Sequence, residues 1–258
     1  MVVSSPEDCV PRLSAIIITR NEAGNIAACL DTLAFCDERI VVDGDSDDGT
    51  AEIARAKGAR VAAAPWHGFG AHKNFALSLA NGDWVLSIDA DERVTPALAR
   101  AIERAIVEGG IDGYEMPRRS SFLGREMRHS GWWPDYVLRL FRRGRARFSD
   151  DLVHERVICD GRVGRLAEPL LHYPVLRLED AVGRMDRYST AGAEMFVAAG
   201  RRVSFASGIA HGLWSFLRAY VWRRGFLDGR EGFLLAVANA EGTYYRYMKA
   251  WLKARRDG

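Results

Sequence analysis

The segment SIDADE, residues 87–92, sets Asp89, Asp91 and Glu92 within four positions behind an apolar run. Carboxylates this close repel one another and lose hydration when covered. The cluster is therefore either a solvated turn whose acids favour the start of the next helix, or a site for something positive. Hard oxygen ligands select Mg2+ or Mn2+, and such sites combine one or two carboxylates with substrate phosphates. Acids recur at the ends of other apolar runs, in TRNE (19–22) and DGDSDDGT (43–50). A further set, SDDLVHERV (149–157), offers Asp150, Asp151 and Glu155 as proton acceptors. In an extended chain Asp151 and Glu155 face one side, so periodicity does not separate them.

The elements that must position these residues alternate. LSAIIIT (13–19), RIVVD (39–43), ARVAAA (59–64) and DWVLSID (83–89) are short β-branched or apolar runs that read as buried strands. Between them NIAACLDTLAF, TAEIARAKG and HKNFALSLANG read as helices, and Thr95-Pro96 supplies a cap and first position for another that runs to about Glu108. Strand–helix repetition with short loops predicts a parallel sheet with helices on both faces. Ligands bind such sheets at the carboxyl ends of the strands, where TRNE, DGDSDDGT and DADE all fall. After residue 110 the pattern changes: 112–118, 136–143 and a stretch near 162–173 read as strands, and from Leu178 the chain reads as helical.

Composition narrows the classes. Almost half of the 258 residues are apolar and the net charge is +2, which suits a soluble fold and supplies no case for a nucleic-acid partner. Cys9, Cys29, Cys36 and Cys159 form no CxxC and lie at no metal-finger spacing from a histidine, so a reducing cytosol is expected. The opening MVVSSPEDCVPRLS lacks the basic-then-apolar order of a secretory signal. No apolar run approaches the ~18 residues that span a bilayer. A Rossmann dinucleotide site needs G-x-G-x-x-G after the first strand; TRNEAGN has one glycine, and no Walker A loop follows. Phosphate charge must then be neutralised in another way, and a cation on DADE is one.

Taken in order, IIITRNEAGNIAACLDTL, VVDGDSDDGT, GFGAHKNFAL and GDWVLSIDADE resemble a family 2 glycosyltransferase of GT-A fold. That is a Rossmann-like, nucleotide-diphospho-sugar transferase architecture: an α/β mixed sheet flanked by helices. GWWPDYVLRLFRR, VHE and FLDGREGFLLAVANAEGTYYRYMK are similar to the bacterial enzymes that add β-linked glucose to the lipopolysaccharide inner core. The resemblance implies a tail (1–12), a catalytic domain (13–177) and a helical C-terminal extension (178–258). It implies a UDP-sugar donor, a lipid-linked glycan acceptor and a divalent metal, Mg2+ or Mn2+. Thr19, Asn21 and Glu22 would line the nucleoside pocket, Asp43 would accept from the uracil ring, and Lys73 would lie near the base or diphosphate. Asp89 would touch the ribose or the metal, and Asp91 would hold the metal. Asp45 and Asp47 stand where such enzymes commonly carry small or neutral residues.

Inversion by single displacement calls for one base. The resemblance favours Glu155, with Asp151 the alternative, and His154 would contact the diphosphate or the metal. On the acceptor side Trp133 offers a flat wall for a sugar, Asp135 an acceptor for its hydroxyls, and Arg139 a partner for phosphates. Residues 201–253 mix arginines with aromatics. They read either as an interfacial face on the inner membrane, which would make the protein cytoplasmic and peripheral, or as helices packed on the domain or on a second subunit. Two other functions stay open at this level. One is a nucleotidyltransferase acting on sugar phosphates, for which TRNEAGN is a poor phosphate loop. The other is a non-catalytic nucleotide-binding module at a membrane surface.

Overall fold

The computed structural model describes residues 11–149 and 156–256. The first half alternates as its sequence pattern predicts: β1 (Leu13–Thr19), α1 (Ile26–Asp31), β2 (Glu38–Asp43), α2 (Thr50–Ala56), β3 (Arg60–Ala63), α3 (Phe69–Leu79), β4 (Trp84–Ser87), β5 (Glu92–Val94) and α4 (Pro96–Glu108). Then follow β6 (Gly113–Phe122), β7 (Arg125–Glu126), β8 (Asp135–Arg142), β9 (Ala146–Phe148), β10 (Val157–Cys159), β11 (Val163–Arg165) and β12 (Leu170–Val175). Three helices close the chain: α5 (Leu178–Ala198), α6 (Phe205–Leu217) and α7 (Gly229–Arg256).

Among the described residues ten strands form one mixed sheet, with the path β3-β2-β1-β4-β8-β6-β12-β5 and with β7 and β11 paired to β6. β1 is buried along its whole length, because it pairs in parallel with β2 on one side and β4 on the other. Burying each of its isoleucines contributes roughly 1.5–3 kcal/mol. Thr95 caps α4, its side chain accepting from the Leu98 amide at 3.1 Å with Pro96 at the first position. Leu98, Ala101, Ile102, Ala105 and Ile106 form the buried stripe of α4, at the spacing of one helical face. α1 is shorter than NIAACLDTLAF suggests. Its last turn tightens, with Leu33 and Cys36 donating to carbonyls three residues back.

The chain divides into two compact units, Met1–Arg118 with Tyr136–His172, and Arg119–Asp135 with Tyr173–Gly258. The second unit thus takes in residues ahead of the helical extension that starts at 178. The reason is packing: Phe122 and Met127 share a small core with Val175, Ala181 and Leu235.

Candidate active site

β1, β2 and β4 are parallel, so their carboxyl ends meet at one edge of the sheet, with Thr19 in register with Asp43. Two loops are stitched together there. Thr19 donates its hydroxyl to Asp43 Oδ1 at 2.9 Å, and Ser46 donates to the same carboxylate through its hydroxyl (2.6 Å) and its amide (3.1 Å). Asn21 occupies the left-handed region at φ 58°, which asparagine tolerates better than most residues. Its amide donates to Ser46 Oγ at 2.8 Å, and its side-chain oxygen accepts from the Asp47 amide at 3.0 Å. The Glu22 amide donates to Thr50 Oγ1 at 2.9 Å, and Glu22 Oε2 accepts from the Asn25 side chain. Asp48 accepts from the Thr50 hydroxyl and the Ala23 amide. Burial raises the Asp48 carboxyl, but these hydrogen bonds outweigh it and hold it below its ordinary value. Gly44 is required in this loop because a Cβ there would meet the Trp66 ring at 2.5 Å.

DADE follows the end of β4, where the Ile88 amide still donates to Ile16 O at 3.0 Å. Its three carboxylates are stabilised in three different ways. Asp89 Oδ1 meets Lys73 Nζ at 2.9 Å, and its Oδ2 accepts from Arg139. Burial by itself raises the Asp89 carboxyl, but the Arg139 guanidinium and the Lys73 ammonium hold it far below the usual carboxylate range. Glu92 is fully buried. Its Oε1 accepts from Arg139 at 2.6 Å and lies 3.5 Å from Arg118, while its Oε2 accepts from the Asp89 amide at 3.0 Å. Asp91 Oδ2 lies 3.5 Å from His172 Nε2. The repulsion that the sequence poses is thus met largely by the protein's own cations.

Sheet register explains these partners. β8 pairs antiparallel with β4, Leu86 opposite Leu140, which brings Arg139 level with Ser87 at the end of β4. β12 pairs antiparallel with β5, His172 opposite Glu92. Lys73 is buried on α3, and its ammonium lies 5.7 Å from the centroid of the Phe148 ring. Asn74, the next residue, exchanges two hydrogen bonds with the Phe148 backbone. The β9–β10 ribbon ends beside that contact, with the Ser149 amide donating to Arg156 O at 3.0 Å.

The structure therefore brings Thr19, Asn21, Glu22 and Asp43 to one edge, with Lys73, Asp89 and Asp91 at the same edge. Arg139, expected to approach acceptor phosphates, is instead 6% exposed with its guanidinium committed to Asp89 and Glu92. Antiparallel pairing with β4 turns it inward. Asp89 has a cationic nitrogen on each carboxylate oxygen, which suits it to positioning Lys73 and Arg139. Trp133 and Asp135 belong to the second unit, where Arg119 lies over the Trp133 ring at 5.4 Å. Asp151, His154 and Glu155 lie outside the described residues. Sequence reading missed Glu92, Arg118 and His172 as participants. Glu92 is visible in the quoted cluster, whereas nothing local marks the other two.

The model of the family described as "Glycosyl transferase family 2" matches residues 14–162. This chain belongs to glycosyltransferase family 2. Its sheet and flanking helices have the GT-A arrangement, followed by a helical extension, and a nucleotidyltransferase assignment is overturned. The glycosyltransferase is 33% identical over 263 residues to "Lipopolysaccharide core biosynthesis glycosyltransferase LpsC" of Rhizobium meliloti (strain 1021), covering 94% of each chain. It is 30% identical to an uncharacterized glycosyltransferase of Rickettsia prowazekii, covering 92% of this chain and 86% of that one. Among solved structures, mannosyl-3-phosphoglycerate synthase from Rubrobacter xylanophilus matches 43% of this chain and 41% of its own, at 32% identity and a TM-score of 0.39. The glycosyltransferase has no helix among its described residues long and apolar enough to cross a membrane.

Proposed function

We propose that this glycosyltransferase moves a hexosyl group, glucose in the first instance, from a UDP-sugar to a lipid-linked glycan of the lipopolysaccharide core type. The acceptor class rests on the likeness to LpsC over nearly the whole chain. The observation that carries the reading is the shared edge: Asp43 and its stitched loops end one strand, and Asp91 follows another. A nucleoside would lie against Thr19, Asn21, Glu22 and Asp43, and the diphosphate would extend toward Lys73 and Asp91.

Among the described residues no group of three or more His, Cys, Asp or Glu side chains is arranged to hold a metal ion. The Asp91–His172 pair nevertheless offers one hard oxygen and one imidazole nitrogen, a donor set that fits a divalent cation whose remaining positions go to phosphate and water. Asp91 and His172 would hold it, and it would supply Lewis-acid stabilisation of the leaving diphosphate. The chain's own groups do the rest. Lys73, held by Asp89, adds positive charge at the same edge. Glu155, or Asp151 in its place, takes the proton from the acceptor hydroxyl as that oxygen bonds to C1 and the C1–O bond to the diphosphate breaks, inverting the anomeric centre.

Calorimetry with UDP, with and without Mn2+, tests the reading. We expect metal to strengthen binding and Asp91→Asn or His172→Ala to remove that increment. Binding indifferent to metal in the unaltered protein would refute the metal site. Hydrolysis screened across UDP- and GDP-sugars identifies the donor. Glu155→Gln should lower turnover far more than UDP affinity, and the same effect from Asp151→Asn alone would move the base there.

A further inference from the structure

Helix α6 buries its glycines and exposes most of its large apolar residues. Gly208, Gly212 and Ala219 are its buried positions, with the last in the π-helical turn that follows. A Cβ on Gly212 would lie 3.1 Å from Tyr244 Cβ of α7, and one on Gly208 would lie 3.2 Å from Tyr247 Cβ. On the same side of the helix, Ser215 donates to Asn239 O of α7 at 3.2 Å. At 100° per residue, the opposite side of α6 carries Leu213 and Leu217, flanked by Ile209 and Trp214 and continued by Val221, and the π-helical turn that follows also exposes Trp222. These are large and open to solvent: Leu213 is 60% exposed, Trp214 58% and Trp222 81%. A helix that faced water would have the reverse order.

Charge identifies what covers this face. From Met195 to Leu227 the sequence contains no aspartate or glutamate and five arginines: Arg201, Arg202, Arg218, Arg223 and Arg224. All five are exposed. A second copy docked about a twofold axis would set the same patch against itself, arginines facing arginines with no acid to separate them. An anionic bilayer presents opposite charge around an apolar layer, and tryptophan is favoured at that boundary. The stripe spans α6 and its following turn, and among the described residues no helix is long and apolar enough to cross a membrane, so it would lie in the interface plane.

We propose that the outward face of α6 and the turn after it seats this protein on an anionic phospholipid surface. The inference is independent of the reaction. Its test is flotation of the full chain with vesicles, either of phosphatidylcholine alone or with about a third phosphatidylglycerol. The protein should float with the anionic vesicles, not with the neutral ones, and release at high salt. The combined variant Leu213→Asn, Trp214→Asn, Leu217→Asn should abolish flotation while its circular dichroism and melting temperature stay unchanged, since these positions point away from α7. Arg202→Gln with Arg218→Gln, which removes no packing, should weaken partitioning about 30-fold. Failure to float, equal flotation with neutral vesicles, or flotation indifferent to both variants would overturn the proposal. So would a dimer in sedimentation velocity that the apolar variant dissolves while flotation persists.

Discussion

Glu92→Gln probes the charge network with little change in volume. The wild-type carboxylate is fully buried, 2.6 Å from one Arg139 nitrogen and 3.5 Å from one Arg118 nitrogen. At an effective dielectric constant of about 20, these separations correspond to gross attractions of about 6 and about 5 kcal/mol. Desolvation of the buried ions opposes them by several kcal/mol each, so the pair as a whole contributes far less than the sum. Removing one charge leaves that desolvation uncompensated. Glutamine can still accept from the Asp89 amide, but Arg139 keeps only Asp89 as a counterion. We expect about 3–5 kcal/mol lost from unfolding of the sheet, read as a lower urea midpoint by tryptophan fluorescence with the slope unchanged. Arg139→Met should be similarly costly, and the double variant should lose at least about 2 kcal/mol less than the sum of the two. A loss below about 1 kcal/mol, or strict additivity, would mean that Glu92 is hydrated and uncoupled from Arg139, and the account of the buried network would fall.

Three further outcomes follow from the same geometry. Because the folded-state Asp89 carboxyl is held far below its ordinary value, its contribution is complete above about pH 4, the usual carboxylate range, and is lost as pH falls below it. The melting-temperature gap between wild type and Asp89→Asn should therefore be constant near neutrality and close in acid. Asp43→Asn replaces an acceptor of the Ser46 amide with a group that also donates, and UDP affinity by calorimetry should fall about tenfold, the scale of one charge-assisted hydrogen bond; unchanged affinity would remove Asp43 from the pocket. Gly82→Ala would place a Cβ 2.8 Å from Arg12 O and Ser14 N, backbone atoms that no side-chain rotation can move aside, and should cost about 1–3 kcal/mol in chemical denaturation.

Much of the first 110 residues is legible because local pattern and final environment agree. The isoleucines of β1 need burial on both faces and receive it, and Thr95-Pro96 starts a helix as its chemistry dictates. The edge at which Thr19, Asp43 and Asp91 gather follows from parallel topology alone. What is hidden is whatever antiparallel pairing decides. Arg139 sits in an alternating, arginine-rich run that reads equally well as an exposed edge, and only the insertion of β8 beside β4 turns it inward. His172 lies 81 positions after Asp91 in an unremarkable apolar stretch, and the β12–β5 register alone brings it there. Lys73 reads either as a solvated helix residue or as a site group. Its burial depends on Asp89, a partner that no helical periodicity reveals.

The reciprocal hydrogen bonds between Asn21 and the Ser46–Asp47 segment couple two loops into one body. Neither can shift alone without giving up a bond to the other, so much of the ordering entropy that an incoming nucleoside would otherwise impose is already spent in folding. For the nucleoside site proposed above, substitutions that reshape this rim would have to come in matched sets, one on each loop.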